Sequence, residues 1–511
     1  MGSFCSVGLE KERPKRFVSY NSIEEIRFNA GLFIQENSDA FEKTYTLSSK
    51  PIGYGAYGEV WICEHVRSKE KRAVKIIEKS WISSEMLKNR TVLEEVEILR
   101  TLDHPNILKI FEYFEDNKNY YIVMEYCQYG DLLDELHKRD KFDEATASRI
   151  MEQIFAGLNY VHSRLVVHRD IKLENILIWS KDKDLDVKII DFNIATFKSS
   201  AKLTKFTGTF YYLAPEVIEE SYDEKCDLWS CGVIMYLLLT GEFPFNGKDK
   251  EEVLLSISAC KFYQNPAYQS LSALSKDLLS HLLTKSPAFR YSARECLTHP
   301  WIESFSPSSD HKFYQRTLTR MLSIKKKPKL REMFETFLLG QVQKNNSSLR
   351  QLEKVFYELD VDRNGVISIH ELFNKFKCEM PEEQARKEAE RILITVDNDC
   401  SGQIDYTEFL RAALEEESYV CKENLIKAFY YFDKNSSGSI DKAELMSWLA
   451  EGAIIPMEVI EQLIEEADRN GDGVIDIEEF QSLLLDRIAK EETRSQPVSQ
   501  NVSFEEDLES D

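Results

Sequence analysis

Two sets of residues in this chain have the types and spacing to do chemistry. One lies in VVHRDIKLENILIWSKDKDLDVKIIDFNIATF, which starts at Val166 and gathers Asp170, Lys172, Asn175 and Asp191 in a short span. Two carboxylates with a cation and an amide between them suit an ion-assisted reaction on an anionic group. Taken singly, Asp170, Asn175 or Asp191 reads as a turn or cap residue. The other set repeats. The twelve-residue segments DVDRNGVISIHE, DNDCSGQIDYTE, DKNSSGSIDKAE and DRNGDGVIDIEE start at Asp360, Asp397, Asp433 and Asp468, at intervals of 37, 36 and 35 residues. Such even spacing marks a repeated structural unit.

Every repeat carries oxygen-bearing side chains at positions 1, 3, 5 and 9, Gly at 6, an aliphatic residue at 8 and Glu at 12. Calcium is a hard cation that takes about six to eight oxygens, and a loop of this form supplies them. The expected ligands are Asp360, Asp362, Asn364, the Val366 carbonyl and Glu371 in the first loop, and Asp397, Asp399, Ser401, the Gln403 carbonyl and Glu408 in the second. The third offers Asp433, Asn435, Ser437, the Ser439 carbonyl and Glu444; the fourth offers Asp468, Asn470, Asp472, the Val474 carbonyl and Glu479. Gly365, Gly402, Gly438 and Gly473 permit the sharp turn. Helix-prone flanks, LRQLEKVFYEL before the first loop and FQSLLLDRI after the last, complete the EF-hand pattern, and four hands in two pairs resemble calmodulin. The first and third loops carry fewer acidic ligands and are the expected weaker sites.

The elements that must position Asp170 and Asp191 lie upstream. IGYGAYGEV supplies Ile52, Gly53, Gly55, Gly58 and Val60; RAVKII follows with Ala73 and Lys75; a helix-prone run then carries Glu95. Glycines followed by a second strand and a lysine depart from a dinucleotide-binding unit, in which a helix comes directly after the glycines. The order resembles the protein kinase fold, with HRDIKLEN as catalytic loop, DFN in place of the usual DFG and APE closing the activation segment. The resemblance implies that Lys75 holds the α- and β-phosphates of ATP, oriented by Glu95. It makes Asp170 the group that directs the substrate hydroxyl proton and Lys172 the neutraliser of charge on the moving phosphoryl group. Asn175 and Asp191 become holders of magnesium. Met124 falls at the gatekeeper position before hinge residues Glu125, Tyr126 and Cys127, and Glu216 should pair with Arg290. Lys172 and Thr209 of GTFYY match a Ser/Thr kinase. Asp131 and Glu174 fall where related kinases read basic residues upstream of the target, although two surface carboxylates explain them as well. Asn193 replaces a glycine; Asn also visits positive φ at modest cost. It is expected to restrict the flip of this loop rather than abolish catalysis.

Composition is consistent with folded domains: 43% of residues are hydrophobic and 11% aromatic. The net charge of -23 disfavours nucleic acid as the main partner. Ten cysteines without a CxxC pair suggest a reduced, intracellular protein, and no apolar run approaches the ~18 residues of a membrane span. The expected fold class is an α+β bilobal protein kinase fold followed by an all-α domain of four EF-hands. The expected boundaries are an extension over 1–44, a kinase domain over 45–302, a junction over 303–350, a calmodulin-like domain over 351–488 and an acidic tail over 489–511. This combination resembles the calcium-dependent protein kinases. The resemblance implies ATP, Mg2+ and Ca2+ as cofactors, activation by calcium and protein substrates carrying Ser or Thr, with basic residues upstream.

The junction QRTLTRMLSIKKKPKLREMFETFLLGQV is basic and amphipathic, a calmodulin-target type, interrupted by Pro328. In the family such a segment blocks the kinase without calcium and is captured by the hands with it; a packed spacer helix is the plainer reading. MGSFCS fits N-myristoylation at Gly2, with Cys5 a palmitoylation candidate and Lys11, Arg13, Lys15 and Arg16 close by. A monomer at the cytoplasmic face of a membrane, the plasma membrane first, and in the cytoplasm is expected. Two other readings compete. One is a calcium-responsive pseudokinase scaffold, towards which only DFN leans; the other is control by activation-loop phosphorylation near Thr204, Lys205 and Thr207.

Overall fold

A computed structural model describes residues 18–485 except 21, 38–39, 56–57, 89, 182–184, 199–201, 205–206, 307–308, 342–346 and 450–452. Gly2, Cys5, Lys205 and the acidic tail lie outside the described residues. The chain forms two compact units, one over 27–326 and 339–414, the other comprising the stretch up to Ile26 with 327–338 and 415 onward.

The larger unit starts with a six-stranded sheet. Its spatial order is Gln35–Glu36, Ile110–Glu115, Asn119–Met124, Lys71–Glu78, Gly58–His65 and Tyr45–Gly55. The first pair is parallel and the others antiparallel. Lys71–Glu78 is central and almost wholly buried, as its run of Ala73, Val74, Ile76 and Ile77 requires. The Glu94–Arg100 helix packs on this sheet with Val96, Ile98 and Leu99 inward. Beyond the sheet the chain is helical. Asp143 caps the Glu144–Ser163 helix by accepting from the Thr146 N–H at 2.9 Å. The Lys225–Thr240 helix is buried on all sides, ending at Gly241 with φ 76°. These helices carry the core on which the HRD and DFN segments rest. Arg290, buried, donates to Glu216 Oε2 at 3.0 Å, so the expected pair forms.

Helix His311–Ser323 follows, and the next, Lys329–Gln341, starts just after Pro328. The proline thus separates two helices. The first two hands belong to the larger unit, joined by pairing of Ile367 with Ile404. The second two belong to the smaller unit, joined by pairing of Ile440 with Ile475. These aliphatics occupy position 8 of each loop. The first hand packs on the Glu144–Ser163 helix: Arg363 pairs with Glu152 at 2.8 Å, and Asn159 and Ser163 donate to carbonyls of the first calcium loop. Among the described residues, no helix is long and apolar enough to cross a membrane.

Candidate active site and calcium loops

Lys75 projects from the central strand into a buried cluster. Its ammonium lies 2.7 Å from Glu95 Oε2, 2.8 Å from Asn193 Oδ1 and 3.8 Å from Asp191 Oδ1. Burial alone would lower the Lys75 pKa; Glu95 and Asp191 outweigh it and hold the pKa above its ordinary value. The cation is therefore fixed as a cation. Strand register places Val60 opposite Lys75, Ala73 opposite Met124 and Gly53 opposite Val60. Ile52 remains half exposed on strand Tyr45–Gly55, whose Gly55 pairs with Gly58. Gly58 must be glycine, because a Cβ there would lie 2.1 Å from the Ile76 carbonyl oxygen. The Glu125 N–H donates to the Lys109 carbonyl at 2.9 Å, and Cys127 is buried. Strand register thus brings Val60, Ala73 and Met124 close to Lys75.

Asp170 sits on the loop between two short pairings, Val166–Val167 with Thr196–Phe197 and Ile176–Ser180 with Asp186–Ile189. Lys172 Nζ donates to Asp170 Oδ2 at 2.6 Å, and Asn175 Nδ2 donates to the Asp170 carbonyl at 2.8 Å and to Oδ2 at 3.1 Å. Asp227, from the buried Lys225–Thr240 helix, supports the loop from below. It accepts the His168 and Arg169 N–H groups at 3.0 and 2.8 Å and faces His162 Nε2 at 2.8 Å. Burial pushes its pKa up, but the His162 contact and these amides pull it below the ordinary value, so Asp227 stays an acceptor. Asn175 ties the two aspartate segments together, since its carbonyl accepts from the Ile190 N–H at 3.0 Å. Phe192 is buried and meets His168 edge-on at 4.7 Å. Asp131 caps the Leu132–Arg139 helix, and Glu174 accepts from Tyr212 Oη at 3.5 Å, so both carboxylates also have structural work.

Two features lay beyond the sequence reading. Thr209 completes the Asp170 cluster: its N–H and Oγ1 donate to Asp170 Oδ1 at 3.1 and 2.9 Å, and its Oγ1 accepts from Lys172 at 3.0 Å. Gly208, at φ 108°, lets the chain pass, because a Cβ there would come within 2.8 Å of the Arg169 carbonyl oxygen. The second feature corrects an expectation. The positive φ in the DFN element, 68°, belongs to Asp191 and not to Asn193. Asn193 therefore does not stand in for glycine by its backbone.

The calcium loops share one geometry. The position-6 glycines have φ between 79° and 87°, and each donates its N–H to the first aspartate of its loop at 2.8 to 3.0 Å. Carboxylate oxygens of Asp360, Asp362 and Glu371 lie within 4.8 Å of one another, as do those of Asp397, Asp399 and Glu408 and of Asp468, Asp472 and Glu479. In the third loop Asp433 and Glu444 are joined by Asn435 and Ser437 instead, and Ser437 Oγ donates to the Ser439 carbonyl at 2.9 Å. These all-oxygen donor sets fit calcium. In the first loop burial, then Glu371 and Asp362, push Asp360 up to about 8 against backbone donors that pull it down, and in the second loop burial, then Asp405, hold Glu408 well above the ordinary value.

Family models for the protein kinase domain and for the EF-hand domain pair match residues 46–302 and, twice, residues 349–414 and 422–485. The chain is 35% identical over 497 residues to calcium-dependent protein kinase 4 of Plasmodium berghei (strain Anka) and of Plasmodium falciparum (isolate 3D7), covering 94% of this chain and 92% of each relative. It is 36% identical over 476 residues to calcium-dependent protein kinase 5 of Plasmodium falciparum, covering 89% and 81%. The chain belongs to the calcium-dependent protein kinases. As a member of that family it is a calcium-activated Ser/Thr kinase using ATP, Mg2+ and Ca2+. Nothing in the site favours the scaffold reading, since Lys75, Asp170, Asn175 and Asp191 are all in place.

Thr209 generates a direct test. Thr209→Val keeps the side-chain volume and removes both polar contacts with Asp170 and Lys172. It should lower kcat by about 10- to 100-fold, roughly 1.4–2.7 kcal/mol of barrier, while Thr209→Ser stays near wild type in steady-state peptide phosphorylation. Equal rates for all three proteins would make the contact incidental.

Proposed function

We propose that Lys75 and Glu95 orient the ATP phosphates, that Asn175 and Asp191 hold magnesium, and that Asp170 directs the attacking Ser or Thr hydroxyl. Bound Mg·ATP supplies the electrophilic phosphorus and neutralises charge on the phosphates. The protein's part is positioning. Asp170 is held by three neighbours with one carboxylate oxygen towards Thr209 and the other towards Lys172 and Asn175. Lys172 brings a cation beside the reacting hydroxyl, where charge develops. The glycine strands pack closely enough for backbone to cover a phosphate chain. Asp131 and Glu174 are the proposed readers of basic residues upstream in the substrate. The enzyme works as a monomer.

The regulatory reading is carried by one observation within the smaller unit. Residues 327–338 are enclosed by the second pair of hands. Phe334 meets Phe432 and Phe480 at ring distances of 4.9 and 4.6 Å, and Phe337 meets Tyr431 and Phe432 at 4.5 and 4.9 Å. Leu330, Met333 and Leu338 are buried with them. Glu466 caps the start of the helix by accepting the Lys329 and Leu330 N–H groups at 3.2 and 2.7 Å. Lys327 and Arg331 pair with Glu335 and Glu416. This is the helix-in-groove mode of an EF-hand sensor. The captured helix represents the calcium-on arrangement; without calcium it is released and blocks the kinase. Moving the enzyme from 1% to 99% active needs about 5.5 kcal/mol of differential binding, which several calcium ions supply together. The third loop is the proposed weakest site, because two neutral residues replace acidic ligands there.

The switch predicts that Phe334→Ala combined with Phe337→Ala weakens capture. Half-maximal activation should then require at least about tenfold more calcium, measured as peptide phosphorylation against buffered free calcium. An unchanged activation curve would make the junction a spacer.

For localisation, myristoylation at Gly2 with Cys5 acylation or the basic cluster as second signal places the enzyme at the cytoplasmic face of a membrane. Gly2→Ala should move it from the membrane to the soluble fraction of a cell extract. An unchanged membrane fraction would reject the lipid anchor.

A further inference from the structure

Asn193 does something that the usual glycine cannot. Its Oδ1 accepts from the Lys75 ammonium at 2.8 Å, and its Nδ2 donates to Asp191 Oδ1. A primary amide is suited to this place, being an acceptor at one end and a donor at the other. It spans the gap between a cation and a carboxylate that stand 3.8 Å apart. Aspartate here would repel Asp191, and glycine would leave the gap without a side chain. The residue bridged also needs holding. Asp191 is about one-third exposed in its side chain and has φ 68°, a sparsely populated backbone state for a residue with a Cβ. The adjacent Phe192 fills a buried site against His168, so a rotation of Asp191 outward must drag an aromatic ring out of the core.

We propose that Asn193 is a positioning residue: its side-chain amide ties Asp191 to Lys75 and holds the Asp191–Phe192 segment in its inward state, making this kinase resistant to the flip of that segment. Lys75 then holds Glu95 and, through Asn193, Asp191 at once. The strand, the Glu94–Arg100 helix and the DFN segment are locked by one buried cation. Binding selectivity follows. Ligands that occupy only the adenine site are indifferent to the bridge, whereas ATP-competitive inhibitors whose tail needs the volume of Phe192 must break it.

The test uses full-length, calcium-loaded protein as wild type, Asn193→Ala and Asn193→Gly. Two inhibitors are titrated into each, one confined to the adenine pocket and one that requires Phe192 displaced. Hydrogen exchange of the 190–195 backbone amides is followed in parallel. Alanine removes the amide without the backbone freedom of glycine, and so isolates the bridge. Asn193→Ala should tighten the second inhibitor about tenfold or more, leave the first within about twofold, and speed exchange of the segment. Unchanged affinities and exchange in the alanine variant would overturn the proposal. So would equal shifts for both inhibitors, or an effect seen with glycine alone, which would trace the property to backbone freedom. If the alanine variant unfolds at assay temperature, Asn193→Ser, too short to span both partners, replaces it with the same expected split.

Discussion

A buried ammonium has to be surrounded by carboxylates or be lost as a charge, and much of the kinase core is arranged around that constraint. Lys75 lies in a buried stretch of an interior strand of the sheet, where water reaches it poorly. Glu95 comes from a helix, and Asp191 and Asn193 come from the loop between Asp186–Ile189 and Thr196–Phe197. The cluster is thus a coincidence detector for three elements. Loss of Glu95 would leave the buried ammonium without its nearest carboxylate, at a cost of several kcal/mol. Asp170 is governed by a milder version of the same rule: Lys172, Asn175 and Thr209 fix its two oxygens, while buried Asp227 fixes the backbone that carries it.

The calcium loops present the opposite electrostatic problem. Carboxylates are crowded together and folded backbone amides only partly relieve them, so a divalent cation completes the loop. In the smaller unit, the hands that share the Ile440–Ile475 pairing also enclose the aromatic face of residues 327–338. Metal occupancy and helix capture then act on one body, which is the physical basis for coupling them.

Much of this was legible in the sequence because it is written in local spacing. The twelve-residue loops, the glycine turn, Lys75, Glu95 and the HRD segment carry fixed offsets, and the Arg290–Glu216 pair followed from the resemblance. Pro328 announced the break between two helices. What escaped has a common cause. Thr209 reaches Asp170 across 39 residues, and Asp227 reaches the His168 N–H across 59, so no periodicity records either contact. The allotment of the two hand pairs to different units is a matter of packing, not of motif. Asn193 was noticed for its type but assigned to the wrong degree of freedom: the positive φ sits at Asp191, and the asparagine acts through its amide.

The most direct measurement is transfer of labelled γ-phosphate from ATP to a basic Ser peptide by the full-length chain, in saturating calcium and in chelator, with Asp170→Asn alongside. Expected is transfer that rises about a hundredfold or more with calcium and falls by several orders of magnitude in Asp170→Asn, while that variant still binds calcium. Transfer that is equal with and without calcium, or that persists in Asp170→Asn, would contradict a calcium-gated kinase built on these residues.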